Sequence, residues 1–267
     1  MSMAKRLKAM GAAKYQRDGD PATSGPGFGL TMHLESLTQP LRWTRPQMIF
    51  VDSMSDLFHK DVTDEFIAQV FGVMAAAPRH TYQCLTKRHA RMRSLLNSRP
   101  FREQVAQAAF TWSDGNPGLA DVICDARPGH WPLPGVWLGV SVEDQHWADI
   151  RVPALLGTPA AVRFLSVEPM LGPVDLRFSQ CLEHDFPGGM CTFSCPSRTR
   201  LTWVIGGGES GPNHRPFDLD WARSLRDQCV GAGVAFFFKQ VGGRTPKSGG
   251  RMLDGRTWDQ LPTAVTA

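Results

Sequence analysis

Six times along this chain a short apolar run ends in residues able to do chemistry. Asp52 and Ser53 follow Met48-Ile49-Phe50-Val51, and Thr86-Lys87-Arg88 follow Tyr82-Gln83-Cys84-Leu85. Ser141-Val142-Glu143 follow Val136-Trp137-Leu138-Gly139-Val140, and Ser166-Val167-Glu168 follow Val162-Arg163-Phe164-Leu165. Gly206-Gly207-Gly208-Glu209-Ser210 follow Trp203-Val204-Ile205, and Lys239-Gln240 follow Ala235-Phe236-Phe237-Phe238. Carboxylates brought to one mouth can hold cations or move protons. A lysine set after a buried aromatic run must reach that mouth or meet a carboxylate. Asp52, Glu143, Glu168 and Lys239 are therefore the catalytic candidates. The glycine run lets a ligand approach the backbone and exposes amides to anionic groups. Gly206, Gly207 and Gly208, with Ser53, Glu209 and Ser210, are the cofactor-binding candidates. A tight turn is the competing reading, because the spacing matches neither the dinucleotide nor the Walker pattern.

Two further clusters carry chemical potential. Lys87, Arg88, Arg91 and Arg93 are suited to a phosphate or a nucleic-acid backbone, although a basic run is most often a solvated helix face. Cys181, His184, Cys191 and Cys195 supply ligand types for zinc, but no cysteine pair has the two-residue gap of a knuckle. Cys84 and Cys229 lie in apolar patterns and read as core.

The elements that must position these groups are legible from pattern. Strands buried on both faces read as continuous apolar runs, and helical stretches fill most of the gaps between them. Strand and helix in alternation give a parallel α/β sheet with right-handed crossovers. A partial (β/α) barrel, which gathers its chemistry at the C-terminal strand ends, fits this order; an open doubly wound parallel sheet is the alternative. Helices are expected over Met3 to Met10 with Gly11 as the stop, and over Asp64 to Ala77 with Asp61 or Thr63 as cap. Others are expected near His89 to Asn97, over residues 101 to 110 before a loop rich in Gly, Asp and Pro that reaches Trp131, and over Asp149 to Leu156, broken or kinked at Pro153. A last one, capped by Asp218 or Asp220, carries Trp221, Ala222, Leu225 and Cys229. Residues 178 to 200 read as a loop excursion. The tail 242 to 267 is expected to dock through Leu253, Trp258 and Leu261.

A chain of 267 residues with 42% apolar composition can bury a large core as one α/β domain, 1 to 267. A formal charge of +4 permits an anionic partner without requiring one. No apolar run approaches the roughly 18 to 20 residues of a spanning helix, and six scattered cysteines do not form a dense disulfide framework. The expectation is a cytoplasmic protein with no membrane partner.

Taken together, several segments resemble a phage- and mobile-element-associated family named after phage proteins thirty-seven and sixty-eight. They are Ile49-Phe50-Val51-Asp52-Ser53-Met54-Ser55-Asp56-Leu57-Phe58-His59, Leu85-Thr86-Lys87-Arg88, Trp137 to Glu143, Arg163 to Pro169, Gly207 to Gly211 and Phe236 to Gln240. Leu253-Asp254-Gly255-Arg256-Thr257-Trp258 looks like that family's ending. The resemblance covers residues 3 to about 262 and implies a three-cysteine-motif, radical S-adenosylmethionine-like protein of unknown reaction. Its partial barrel would have a first strand leading into three cysteines that hold a four-iron iron–sulfur cluster, with S-adenosylmethionine as cofactor. Here Met3-Ala4-Lys5-Arg6-Leu7 resembles the helix just after the last cluster cysteine. The expectation is a chain without the cluster motif or the first strand, through either a start placed too far downstream or true degeneracy. Two other readings stand beside it. One is a non-catalytic nucleic-acid-binding accessory factor of a mobile element, using Lys5, Arg6 and Lys8 with the second basic cluster. The other is a cluster-free, metal-dependent barrel enzyme built on Glu143 and Glu168.

Overall fold

The computed structural model describes residues 3–22, 24–124, 131–178, 201–245 and 248–262. Its centre is a curled sheet of six parallel strands in the order β1-β2-β3-β4-β5-β6, so each strand pairs with its neighbours in sequence. The strands are β1 (Met48–Phe50), β2 (Thr81–Thr86), β3 (Val136–Ser141), β4 (Val162–Val167), β5 (Trp203–Gly207) and β6 (Ala235–Gln240). A doubly wound sheet reverses its order at a switch point; this one never does. The result is a half-barrel, since β1 and β6 do not pair with each other.

The described helices are α1 (Met3–Ala9), α2 (Leu34–Leu37), α3 (Gln39–Arg42), α4 (Asp64–Ala76), α5 (His89–Asn97), α6 (Arg99–Trp112), α7 (Pro117–Cys124), α8 (Gln145–Leu156) and α9 (Leu219–Gly231). Local chemistry sets their ends. Thr63 Oγ1 accepts from Phe66 N at 3.2 Å, so Thr63 rather than Asp61 caps α4, and Asp218 rather than Asp220 caps α9. Gly11 takes φ +75° just past α1, a left-handed conformation that glycine adopts without strain. Two expectations need correction. Asp144 accepts from Trp147 N at 3.1 Å, starting α8 four residues before Asp149, and the helix runs through Pro153 unbroken. The span expected as loop before Trp131 contains α7, with Pro117 at its first position.

Helices α4, α6, α8 and α9 cover the convex face of the sheet and form one continuous core with it. Ile67, Val105, Leu138, Leu155, Leu165, Val204, Leu225 and Phe236 are all fully buried there. Cys84 and Cys229 belong to this layer, as their patterns indicated. Strands β3 and β4 are buried along their whole length, which explains their unbroken apolar reading. On the concave face a second, smaller cluster of Trp137, Val162, Phe164 and Trp203 closes the end at which the strands begin. Gly139 makes room for it: a Cβ there would fall 2.4 Å from the Phe164 ring.

The tail covers the β6 edge. Phe238 N donates to Trp258 O at 2.8 Å, Gln260 N donates to Phe236 O at 3.2 Å, and Phe237 bridges to Asp259 antiparallel. Leu253 and Trp258 are buried as anticipated, whereas Leu261 is exposed. No described helix is long and apolar enough to cross a membrane.

Candidate active site at the mouth of the half-barrel

Side chains alternate across a strand, so inward positions stack in rows along the concave face. The register places Leu85, Gly139, Phe164 and Trp203 in one row, and Ser141, Ser166, Ile205 and Phe237 in the next. Apolar groups thus form the floor, and polar groups enter as the strands end. Val167 pairs with Gly206, so Glu168 stands level with Gly207. The rows lead into an open cavity of about 1400 Å³, above the roughly 300–1,000 Å³ of ordinary ligand pockets.

Asp52, Ser53, Lys87, Arg88, Arg91, Glu168, Gly208, Glu209, Ser210 and Lys239 all line this cavity. These candidates share one cavity, whereas Glu143, Gly206, Gly207 and Arg93 are not among its lining residues. Their pairing was not legible. Glu143 is 7% exposed and holds two cations: its Oε2 accepts from Arg151 Nη1 at 2.9 Å, and its Oε1 lies 2.5 Å from Lys87 Nζ. Across the rim Lys239 Nζ donates to Glu168 Oε2 at 3.1 Å. Burial raises the Glu168 carboxyl above the usual carboxylate range even though Lys239 opposes the shift. Glu209 is different: Arg215 donates to it through its backbone and its guanidinium at 2.8 to 2.9 Å, holding it at about 2. That carboxylate is a loop clasp, already satisfied. Gln240 Nε2 ties Ser210 Oγ at 2.8 Å and Gly208 O at 3.1 Å.

Asp52 departs furthest from ordinary behaviour. It is 9% exposed, and Leu57 N donates to its Oδ2 at 3.1 Å. Its Oδ1 is buried with no hydrogen bond among the described residues, although the backbone amides of Leu85 and of Asp52 itself lie near enough to oppose the rise in its pKa. Burial first, then repulsion from Asp56, pushes its carboxyl up to about 7. Asp56 itself is a structural staple, accepting from Thr86 Oγ1 at 2.7 Å and from the Lys87 and Phe58 amides at 3.0 Å.

The glycines divide by role. A Cβ on Gly208 would meet Val241 O at 2.0 Å, and one on Gly206 would meet Leu225 and Phe236 at 3.3 to 3.4 Å. Both are glycine for packing. A Cβ on Gly207 would meet Gln240 O at 3.2 Å and Glu168 Oε1 at 3.3 Å, and of the three glycines Gly208 alone lines the cavity.

The basic cluster separates. Arg91 is spent on the carbonyls of His59 and Val62 and on Asp64 Oδ1 at 2.5 Å. Arg93 lines a different groove beside Asn97 and Gly157. Cys181, His184, Cys191 and Cys195 lie outside the described residues.

Sequence reasoning missed Arg151, Gln83 and Phe50. Arg151 carried a signal: it occupies an otherwise apolar helix face, eight residues after Glu143, and a buried arginine needs a carboxylate. Its guanidinium also lies 3.8 Å from the Trp147 ring centroid.

The described residues do not accommodate an iron–sulfur cluster. Cys84 and Cys229 are buried, Cys124 is on α7, and no described trio of His, Cys, Asp or Glu could hold a metal ion. No chemical step is therefore derived through such a group.

No curated protein and no solved structure matches the chain. One family does, over residues 1–262, a family described as a protein of unknown function. The chain belongs to that family, DUF5131.

Proposed function

We propose that the cavity is the ligand site of a radical S-adenosylmethionine-like enzyme, and that its rim takes the zwitterionic amino-acid end of that cofactor. One observation carries the reading: two opposite-charge pairs stand at the strand ends, Lys87 with Glu143 between the neighbouring β2 and β3, and Lys239 of β6 with Glu168 after β4, across β5. A bound α-amino acid offers a carboxylate to a lysine and an ammonium to a glutamate. It can exchange into such a pair without leaving a charge unmatched, which a half-occupied site would do at a cost of several kcal/mol (about 3–5 for a buried pair). Glu168 and Lys239 are the better exchange partners, since Lys239 is more than half exposed while Arg151 clamps Glu143 from behind. The aromatic floor of Phe164, Trp203 and Phe237 supplies apolar surface for the rest of the ligand. The residues described here bind the ligand, orient it and exclude water, and burial raises the Glu168 carboxyl above the usual carboxylate range while Lys239 opposes the shift.

The test is equilibrium dialysis of S-adenosylmethionine against the purified chain, with Glu168→Gln and Lys239→Met beside it. Saturable binding lost by about tenfold or more in both variants supports the reading. Binding that neither variant weakens overturns the assignment of the rim.

Neither rival is favoured. Nucleic-acid binding through Lys87, Arg88, Arg91 and Arg93 would need residues that face different neighbours. Metal binding on Glu143 and Glu168 would have to displace three cationic side chains.

A further inference from the structure

The wall of the cavity formed by β1 and β2 holds two polar atoms with no hydrogen-bond partner among the described residues. Asp52 is nine-tenths buried with an unpartnered Oδ1 acceptor, and Gln83 carries an unpartnered, buried Nε2 donor. Both side chains line the cavity. Phe50 pairs in register with Gln83 and stands two residues before Asp52. Its side chain also lines the cavity and is 45% exposed, with Met48 beside it at 51%. An orphaned buried polar atom costs about 1–3 kcal/mol, and an exposed aromatic on an inner wall is unused contact surface. An acceptor, a donor and an open ring face on two paired strands lining one cavity define a chemical complement: a flat heterocycle whose edge carries an N–H next to a C=O.

We propose that this wall is the substrate subsite, and that it takes a lactam-edged nucleobase of the uracil or hypoxanthine type. Asp52 Oδ1 accepts the ring N–H, Gln83 Nε2 donates to the adjacent carbonyl, and the ring lies on Phe50. Leu57 N–H occupies Asp52 Oδ2, which leaves Oδ1, itself buried, as the carboxyl oxygen without a partner. The inference rests on the cavity being a ligand site but not on the identity of the cofactor at the rim.

The probes are uridine and inosine, titrated into the full chain and followed by saturation-transfer NMR and calorimetry. Both are expected to bind saturably, with Kd below about 1 mM. Uridine methylated at N3 loses the donor and is expected to bind at least about tenfold more weakly. Gln83→Leu removes the donor on the protein. Asp52→Asn keeps the acceptor toward Leu57 and turns an NH2 toward the ring N–H, reversing the match. Each substitution is expected to weaken uridine by about tenfold or more while leaving S-adenosylmethionine binding within about twofold. Circular dichroism of each variant separates lost binding from lost fold. No uridine or inosine binding at 10-fold above about 1 mM, or equal binding of the N3-methylated nucleoside, overturns the proposal. S-adenosylmethionine bound with uridine ignored would sink this inference alone; uridine bound with S-adenosylmethionine ignored would sink only the rim assignment.

Discussion

Replacing Asp52 by asparagine should stabilise the protein, and by an amount that depends on pH. Burial and Asp56 raise the folded-state carboxyl from 3.8 to about 7. A carboxyl raised in the folded state favours the protonated form, so the fold binds that proton more tightly than the unfolded chain does. The cost of ionising it is absent below about 4, grows as pH rises toward 7, and is constant above. Roughly three units at about 1.36 kcal/mol each set a ceiling of about 4 kcal/mol. Structural relaxation and water entry reduce this, and about 1–3 kcal/mol is the working expectation. Asparagine keeps an oxygen for the Leu57 amide and carries no charge. Urea denaturation of wild type and Asp52→Asn at pH 4.5, 6 and 8 reads the effect directly, or about 2–4 °C in Tm per kcal/mol for a chain of this size. The advantage of the variant should widen from pH 4.5 to pH 7 and then level off. An advantage that is flat with pH, or a variant less stable at pH 8, would refute the environment assigned to Asp52.

Other substitutions probe the remaining elements. Arg151→Met removes the buried clamp on Glu143 and should destabilise by about 3–5 kcal/mol in chemical denaturation, whereas Glu209→Gln, on an exposed loop clasp, should cost under about 1 kcal/mol. Thr63→Ala removes the α4 cap and should cost about 1 kcal/mol, with Thr63→Ser restoring most of it. Gly208→Ala forces a Cβ onto Val241 O and should lower Tm sharply, while Gly211→Ser, where no atom lies within 4 Å of the added carbon, tests the local backbone alone.

Much of the frame was readable in the residues because both-face burial leaves a continuous apolar signature. All six runs became strands. What periodicity could not give was their order, which separates a half-barrel from a doubly wound sheet, or their full extent: Ser141 and Ser166 are strand residues, buried at the polar end of the concave face. Helix α8 was misjudged because Pro153 dominated the reading, although Asp144 had already set the start four residues earlier. Acidic and basic groups at the mouth were findable, since each follows a run. Their partners were harder to read: Arg151 meets Glu143 from the helix that follows it, betrayed only by its place on an apolar face, and Lys239 meets Glu168 across an intervening strand. Gly206 and Gly208 misled in the same way, because the atoms that exclude a Cβ come from residues 225 to 241.

The account depends on one cavity collecting ligand at the C-terminal strand ends. Hydrogen–deuterium exchange with and without saturating S-adenosylmethionine tests this most directly. Protection is predicted to appear together at residues 141–143, 166–169, 207–210 and 239–240, four stretches remote in sequence. Protection confined to one stretch, or appearing at residues 135–137 and 201–203, where the strands begin, would contradict it.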